Sequence, residues 1–368
     1  MKKNLLLLTA TVLAMAGCVK NEVVEVADSS AIGFDTYVGK HTRSNTVVIN
    51  GRSDLSTFYV FGNSNDGTNT EKVFDCQKVY WSGSNAQDGH YEYNNGVSTM
   101  WETNKTYYFA AISNGNAALE NSDPEYNSVY DVDVAYAYNG TGDNKITITD
   151  YTANDKDLIV DIADPISSGT SMTGKETVTF DFRHLLTRVR FIVNNGDAVG
   201  SESIVAVEDL KFTGDKTANC DYTWTASNAH TISWTALAQD TYQYTPASVS
   251  PTDEAYVITP SSNKSFGKFV IPQSSENTQV SFTLVTYKKE GNGNYTETNR
   301  KPYTFSLKYD NDPSASTDYK WQAGKVYQYT VTVAGTINYI RFDANVASWN
   351  FDLDGNGTAN TDDDITMN

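Results

Sequence analysis

Cysteine, histidine and proline are scarce in these 368 residues, at three, four and eight. The histidines, His41, His90, His184 and His230, are scattered, and none has a nucleophile elbow or a metal-ligand spacing beside it. That removes the usual sequence routes to nucleophilic hydrolysis and zinc chemistry, and the chain is expected not to be an enzyme. Beyond Cys18 only Cys76 and Cys220 remain, far apart, so they read as two buried free thiols and not as a disulfide framework. Positive charge is short as well: 27 Lys and Arg face 45 Asp and Glu, a formal net charge of −18. With no basic surface to displace counterions from phosphates, a nucleic-acid partner is excluded. Past residue 16 no run is long and apolar enough to cross a bilayer as a helix. Helical periodicity is nearly absent too, which leaves strands to build the core.

What the chain does have begins at its amino terminus. Lys2 and Lys3 precede a largely apolar run from Leu5 to Ala16, closed by Gly17 and Cys18. This is the pattern of a signal peptide, residues 1–17, with the small residue before cysteine that a lipoprotein signal peptidase needs. The run is too short to hold the protein in a membrane by itself, so a lipid on Cys18 would be the anchor.

The rest is a succession of short runs rich in β-branched and aromatic residues. Phe58-Tyr59-Val60-Phe61, Tyr107-Tyr108-Phe109-Ala110-Ala111, Thr177-Val178-Thr179-Phe180 and Tyr327-Gln328-Tyr329-Thr330-Val331 are examples, separated by clusters of Gly, Asn, Asp and Ser. The length exceeds what one hydrophobic core usually organises. The expected fold class is all-β: two tandem β-sandwiches of transthyretin-like or Greek-key type, residues 44–175 and 176–351. A Ser-, Gly- and Thr-rich break from Pro165 to Gly174 marks the division.

One short pattern occurs at both ends. Ile32-Gly33-Phe34-Asp35-Thr36-Tyr37-Val38 is echoed by Ile340-Arg341-Phe342-Asp343-Ala344-Asn345-Val346, with Ile, Phe, Asp and Val in the same register. Both alternate with period two, as half-buried strands do, and a one-residue slip would turn either apolar set to the wrong face. Each could therefore fill the same groove. After the first copy, Gly39-Lys40-His41-Thr42-Arg43 forms a small, basic, polar loop, and such loop tips are where proteases reach the backbone. Arg43 followed by Ser44 suits a trypsin-like or arginine-specific endopeptidase, with Arg52 a less favoured site.

These segments occur in a telling order. The signal peptide, Ile32 to Gly39 with Thr42-Arg43, Tyr59-Val60-Phe61-Gly62, Thr106 to Ala111, Phe182-Arg183-His184-Leu185-Leu186-Thr187-Arg188-Val189-Arg190-Phe191 and Trp321-Gln322-Ala323-Gly324-Lys325-Val326-Tyr327 together resemble fimbrillin-like proteins. These are the type V pilins of anaerobic Gram-negative oral and gut bacteria. The resemblance implies a precursor held to the outer membrane by lipid on Cys18. An arginine-specific protease then cuts between Arg43 and Ser44, removing the tether of residues 18–43 with its leader strand (Ile32, Phe34, Thr36, Val38). The emptied groove accepts a donor strand from residues 337–351 (Ile340, Phe342, Ala344, Val346) of the next subunit. The implied partners are other copies or related fimbrial subunits, with host or bacterial surface ligands for adhesion, in a fimbrium on the cell surface.

Two further features stand outside that resemblance. In the acidic tail, residues 352–368, the oxygen-bearing Asp352, Asp354, Asn356, Asn360 and Asp363 take positions one, three, five, nine and twelve of a loop with Gly357 at six. That is close to the calcium-loop spacing, so Ca2+ is the one metal the sequence suggests. Six tryptophans (Trp81, Trp101, Trp224, Trp234, Trp321, Trp349) and 24 tyrosines supply the alternative reading, an outer-membrane surface lipoprotein that stacks glycans on exposed rings.

Overall fold

The computed structural model describes residues 31–38, 55, 57–82, 90–93, 98–114, 132–138, 144–170, 177–198, 200–225, 229–309, 319–334 and 339–348. Among them are nineteen strands and no helix. The first half holds β1 (Phe34–Val38), β2 (Thr57–Asn65), β3 (Thr70–Ser82), β4 (His90–Glu92), β5 (Thr106–Ser113), β6 (Asp133–Tyr138), β7 (Asn144–Thr152), β8 (Ile159–Ile162) and β9 (Ile166–Ser167). The second holds β10 (Val178–His184), β11 (Thr187–Asn195), β12 (Ser203–Trp224), β13 (His230–Gln243), β14 (Val257–Ile258), β15 (Asn263–Val270), β16 (Gln279–Lys289), β17 (Tyr295–Ser306), β18 (Lys325–Ala334) and β19 (Tyr339–Ser348). The expectation of an all-β fold is met.

Three sheets result. The first runs β1-β10-β8-β5-β2-β3-β4 with β9 beside β5, the second β15-β11-β18-β19, and the third β17-β16-β12-β7-β6 with β13 and β14 also on β12. Sheet membership does not divide at residue 175. Strand β10 lies beyond that point, yet it pairs with β1 and β8, and β7 lies before it, yet it pairs with β12. The cause is the length of β12. One of its edges is taken by β16 over Ser203–Phe212 and by β7 over Thr217–Trp224, so a single strand serves both halves of the chain.

Burial explains the sequence runs. In β2, Phe58 to Phe61 are all at most 5% exposed, because the first sheet is covered on both faces at this central strand. Tyr59 and Phe61 join a core shared with Ile146, Val189, Tyr222 and Tyr329, whereas Phe58 and Val60 join a separate cluster with Phe34, Phe109 and Phe180. Strands covered on two sides read as continuous apolar runs, and those covered on one side alternate, as β10 does. The β2–β3 turn is local chemistry. Asp66 Oδ1 accepts from the Thr68 and Asn69 amides (2.8 and 2.7 Å), Asn65 Oδ1 accepts from Gly67 N (2.7 Å), and Gly67 supplies the positive φ of 90°. The amides donated by Asn69 and Thr68 also hold the Asp66 carboxyl below its ordinary range.

Gly62 marks the tightest point of the first sheet. The β2–β3 register shifts there, and a Cβ at this position would lie 2.9 Å from Phe109 Cδ1 and 3.0 Å from Phe74 Cδ2. Gly62→Ala is expected to destabilise the protein by about 1–3 kcal/mol, the usual cost of overpacking. Urea unfolding measures it, and an unchanged midpoint would mean that the two rings make way freely.

Candidate functional site

The site is the seam at which β1 enters the first sheet. Strand β1 pairs in parallel with β10, Phe34 opposite Val178, Thr36 opposite Phe180 and Val38 opposite Phe182. Its other flank meets the far end of the same sheet: Ala31 bridges antiparallel to Met100, Ile32 N donates to Thr99 O (2.8 Å), and β1 also lies against β4. The leader thus covers the β10 edge of the sheet, so that edge is not bare to recruit other strands.

Alternation sends Ile32, Phe34 and Thr36 inward. Ile32 is 1% exposed and Phe34 5%. Around Phe34 stand Phe74 (5.4 Å between ring centroids), Tyr93 (5.5 Å) and Phe109 (6.1 Å) edge to face, with Phe180 stacked at 6.0 Å. Burying two such side chains contributes about 1.5–3 kcal/mol each, and favourable ring geometry adds to it.

Two tyrosine hydroxyls finish the polar fit. Tyr93 OH donates to Ile32 O (2.6 Å) and accepts from Thr99 N (3.1 Å), so one group ties the leader backbone to the segment beside it. Burial pushes this hydroxyl's pKa up, against the opposing effect of the Thr99 amide. Tyr91 OH donates to Leu55 O (2.8 Å), which leaves its lone pairs to accept from Thr36 Oγ1 at 3.0 Å. Val178 N donates to Gly33 O at 2.9 Å. Sequence inspection located this strand but missed Tyr91 and Tyr93, because nothing local separates them from the other tyrosines.

Strand β10 has a weak hold on β8, with register partners only at Arg183–Val160 and His184–Ile159. Beyond these pairs a side chain takes over: Asp161 Oδ2 accepts from Asp181 N at 2.8 Å. Burial raises the Asp161 pKa to about 7; the Asp181 amide and the Arg183 charge pull it down, and the Asp181 carboxylate pushes it up. Nearby, Tyr222 OH bonds His230 Nδ1 at 2.6 Å, and burial lowers the His230 pKa.

The second copy of the pattern is placed differently. Residues Ile340 to Val346 lie in β19, antiparallel to β18 at the edge of the second sheet, with Phe342 opposite Val331 and Ala344 opposite Tyr329. Ala344 is exposed. Leader and donor segments are therefore both strands, in different sheets and with opposite pairing senses. Cys18, Arg43, Ser44 and the calcium candidates Asp352, Asp354, Asn356, Asn360 and Asp363 lie outside the described residues, as do the side chains of Val38, Ile340, Phe342 and Val346. Of the tryptophans, Trp101, Trp224 and Trp321 are buried at 3%, 3% and 0% exposure, while Trp81 and Trp234 are half-buried. Trp81 packs edge-on to Tyr91 and Trp234 donates to Leu185 O at 3.0 Å, so both serve packing; Trp349 is not described.

The sequence pattern of the fimbrillin-like family matches residues 42–349. The chain belongs to that family. Among curated proteins it is 25% identical over 253 residues to the fimbrium subunit Fim1C of Phocaeicola vulgatus, a match covering 65% of this chain and 63% of that protein. The chain thus matches less than two thirds of that relative's length. Among solved structures, a fimbrial protein from Bacteroides vulgatus aligns over 87% of this chain and 99% of its own, with 18% identity and a TM-score of 0.47. In this fimbrillin-like chain strand β1 precedes the matched residues, since it ends at Val38, whereas its seam partners lie within them.

Two outcomes test the seam. Phe34→Ala should cost about 3–5 kcal/mol of stability and Thr36→Val about 0.5–1.5 kcal/mol, read from urea unfolding. For Asp161 the folded pKa, about 7, lies above the ordinary 3.8. Its stabilising contribution is accordingly full below about pH 4 and is lost as pH rises through 7. Unfolding measured from pH 5 to 8 should show that decline, and Asp161→Asn should remove it while still accepting the Asp181 amide; a parallel decline in both proteins contradicts the assignment.

Proposed function

We propose that this chain is a structural and adhesive subunit of a cell-surface fimbrium, made as an outer-membrane lipoprotein through Cys18 and assembled by replacement of its leader strand. The observation that carries the reading is that the segment of β1, the first described strand, completes the β10 edge of the first sheet through an aromatic pocket and has backbone bonds on both flanks. A cut between Arg43 and Ser44 falls between β1 and β2 and so separates the leader from every described strand that follows it. What then opens is an apolar groove with the β10 edge bare, a template for another strand.

The second copy fits that groove on chemical grounds. In the shared register Phe342 takes the place of Phe34, and Ala344 that of Thr36. The Ala344 substitution leaves no buried donor stranded, because Tyr91 OH already donates to Leu55 O. In the groove the segment would run parallel to β10 as β1 does, whereas within the subunit it lies antiparallel to β18. Donor and acceptor are different surfaces, so repetition gives an open filament and not a closed ring.

The test uses the full precursor and an arginine-specific protease. The protein should lose residues 1–43, begin at Ser44 and form heat-resistant ladders on denaturing gels. A variant with Ile340, Phe342 and Val346 all changed to Asp should be clipped equally well and stay monomeric. Ladders from that variant, or clipped parent protein that never polymerises, would rule the proposal out.

A further inference from the structure

The sheet edges differ in how they are guarded. A bare edge recruits foreign strands, and charged side chains, proline or a very short strand are the usual protection. Strand β15 carries Lys264 and Lys268, β17 carries Glu297, Arg300, Lys301 and Pro302, and β19 carries Arg341 and Asp343. The short edges β4 and β6 carry Glu92 and Asp133. Strand β13 is the exception among the longer edges. It pairs with β12 alone, so its outer backbone edge meets no strand among the described residues, and from Thr231 to Gln239 it holds no Lys, Arg, Asp, Glu or Pro. Its regular pairing runs from His230 to Ala236 and is broken where Leu237 has no partner on β12. Within that run Thr231, Ser233 and Thr235 are exposed on one face, while Ile232 and Trp234 lie half-buried on the other, at the rim of the shared core. Trp234 is fixed there by its bond to Leu185 O at 3.0 Å.

We propose that this edge pairs antiparallel with the β13 edge of a second copy of the chain, about a twofold axis through Ser233. The regular run sets the axis, because Ser233 is the middle residue between His230 and Ala236. In that register Ile232 faces Trp234 of the second copy and Thr231 faces its Thr235, and each pair occurs twice. A β-branched residue then meets an aromatic ring on the core side and Thr meets Thr on the outer side, combinations that stabilise antiparallel pairs. Symmetry and charge both select a copy as the occupant. An isologous contact matches two runs of the same length, so neither leaves backbone groups uncovered. A chain with a net charge of −18 repels its copies over most of its surface, and two of them approach at least cost where the edge is uncharged. One such ladder is small beside a stable interface, so free subunits pair briefly; repeated along a filament, it would hold two filaments side by side. That consequence rests on the fimbrial reading; the contact itself does not.

The experiment is disulfide trapping on the uncut precursor, so that donor-strand polymerisation plays no part and the parent's own cysteines set the background. On the axis the two Ser233 Cα atoms lie about 5 Å apart, within reach of a disulfide, whereas two copies of Thr231, or of Thr235, lie about 14 Å apart. Under mild oxidant Ser233→Cys should give a covalent dimer well above the parent's background. Thr231→Cys and Thr235→Cys should each stay monomeric alone and cross-link when mixed. Adding Thr231→Lys and Thr235→Lys to Ser233→Cys sets like charges directly opposite each other and should abolish the dimer. A Ser233→Cys protein that dimerises no more than the parent overturns the proposal. So does a Thr231→Cys protein that dimerises alone as readily as Ser233→Cys, or a dimer that survives the two lysines, since either outcome means random collision.

Discussion

A sheet that packs an aromatic core against its edge strands cannot leave that edge open, and this requirement organises the molecule. The first sheet has an aromatic cluster along one face out to its edge, with the shared core on the other face only at its central strands, so its last strand must supply an apolar side chain, backbone partners and a seal against water for that cluster. The leader does all three with five paired residues. Phe34 fills the pocket, the Gly33 carbonyl satisfies β10, and the Ile32 amide and carbonyl satisfy Thr99 and Tyr93. Nothing covalent beyond the chain connection holds it. A strand retained by burial and hydrogen bonds is one that another strand of equal pattern can replace, which is the physical basis of the proposed assembly.

The scaffold around the seam is divided in strength. Strand β12 pairs with partners from both halves of the chain and carries core residues such as Phe212, Cys220 and Tyr222 along its length, which makes it the common spine. Strand β10, to which the leader attaches, has only two register partners on β8 and relies on the buried Asp161 carboxyl for a third tie. The element that would receive a new strand in the proposed assembly is thus held less tightly than the elements that keep the subunit intact. Regions that move in function are drawn from the less stable parts of a structure for this reason.

Much of this was legible from residue order alone. Alternation in Val178–His184 and the unbroken apolar runs of β2 and β5 announce strands, and the absence of helical periodicity announces the fold class, because side-chain period follows directly from backbone geometry. The two copies of the Ile-x-Phe-Asp pattern were visible for the same reason. Partner choice was not: that β10 joins the strands before residue 175, and that β7 joins those after it, depends on contacts remote in sequence.

The sequence by itself therefore determined that the chain is all-β, belongs with the fimbrillin-like proteins and carries one strand pattern twice, since these are properties of local periodicity and ordered motifs. Only the tertiary structure decided that the first copy lies parallel to β10 inside a ring of Phe74, Tyr93, Phe109 and Phe180 while the second lies antiparallel on β18. Pairing sense and pocket composition arise where distant segments meet, and no local stretch of residues encodes them.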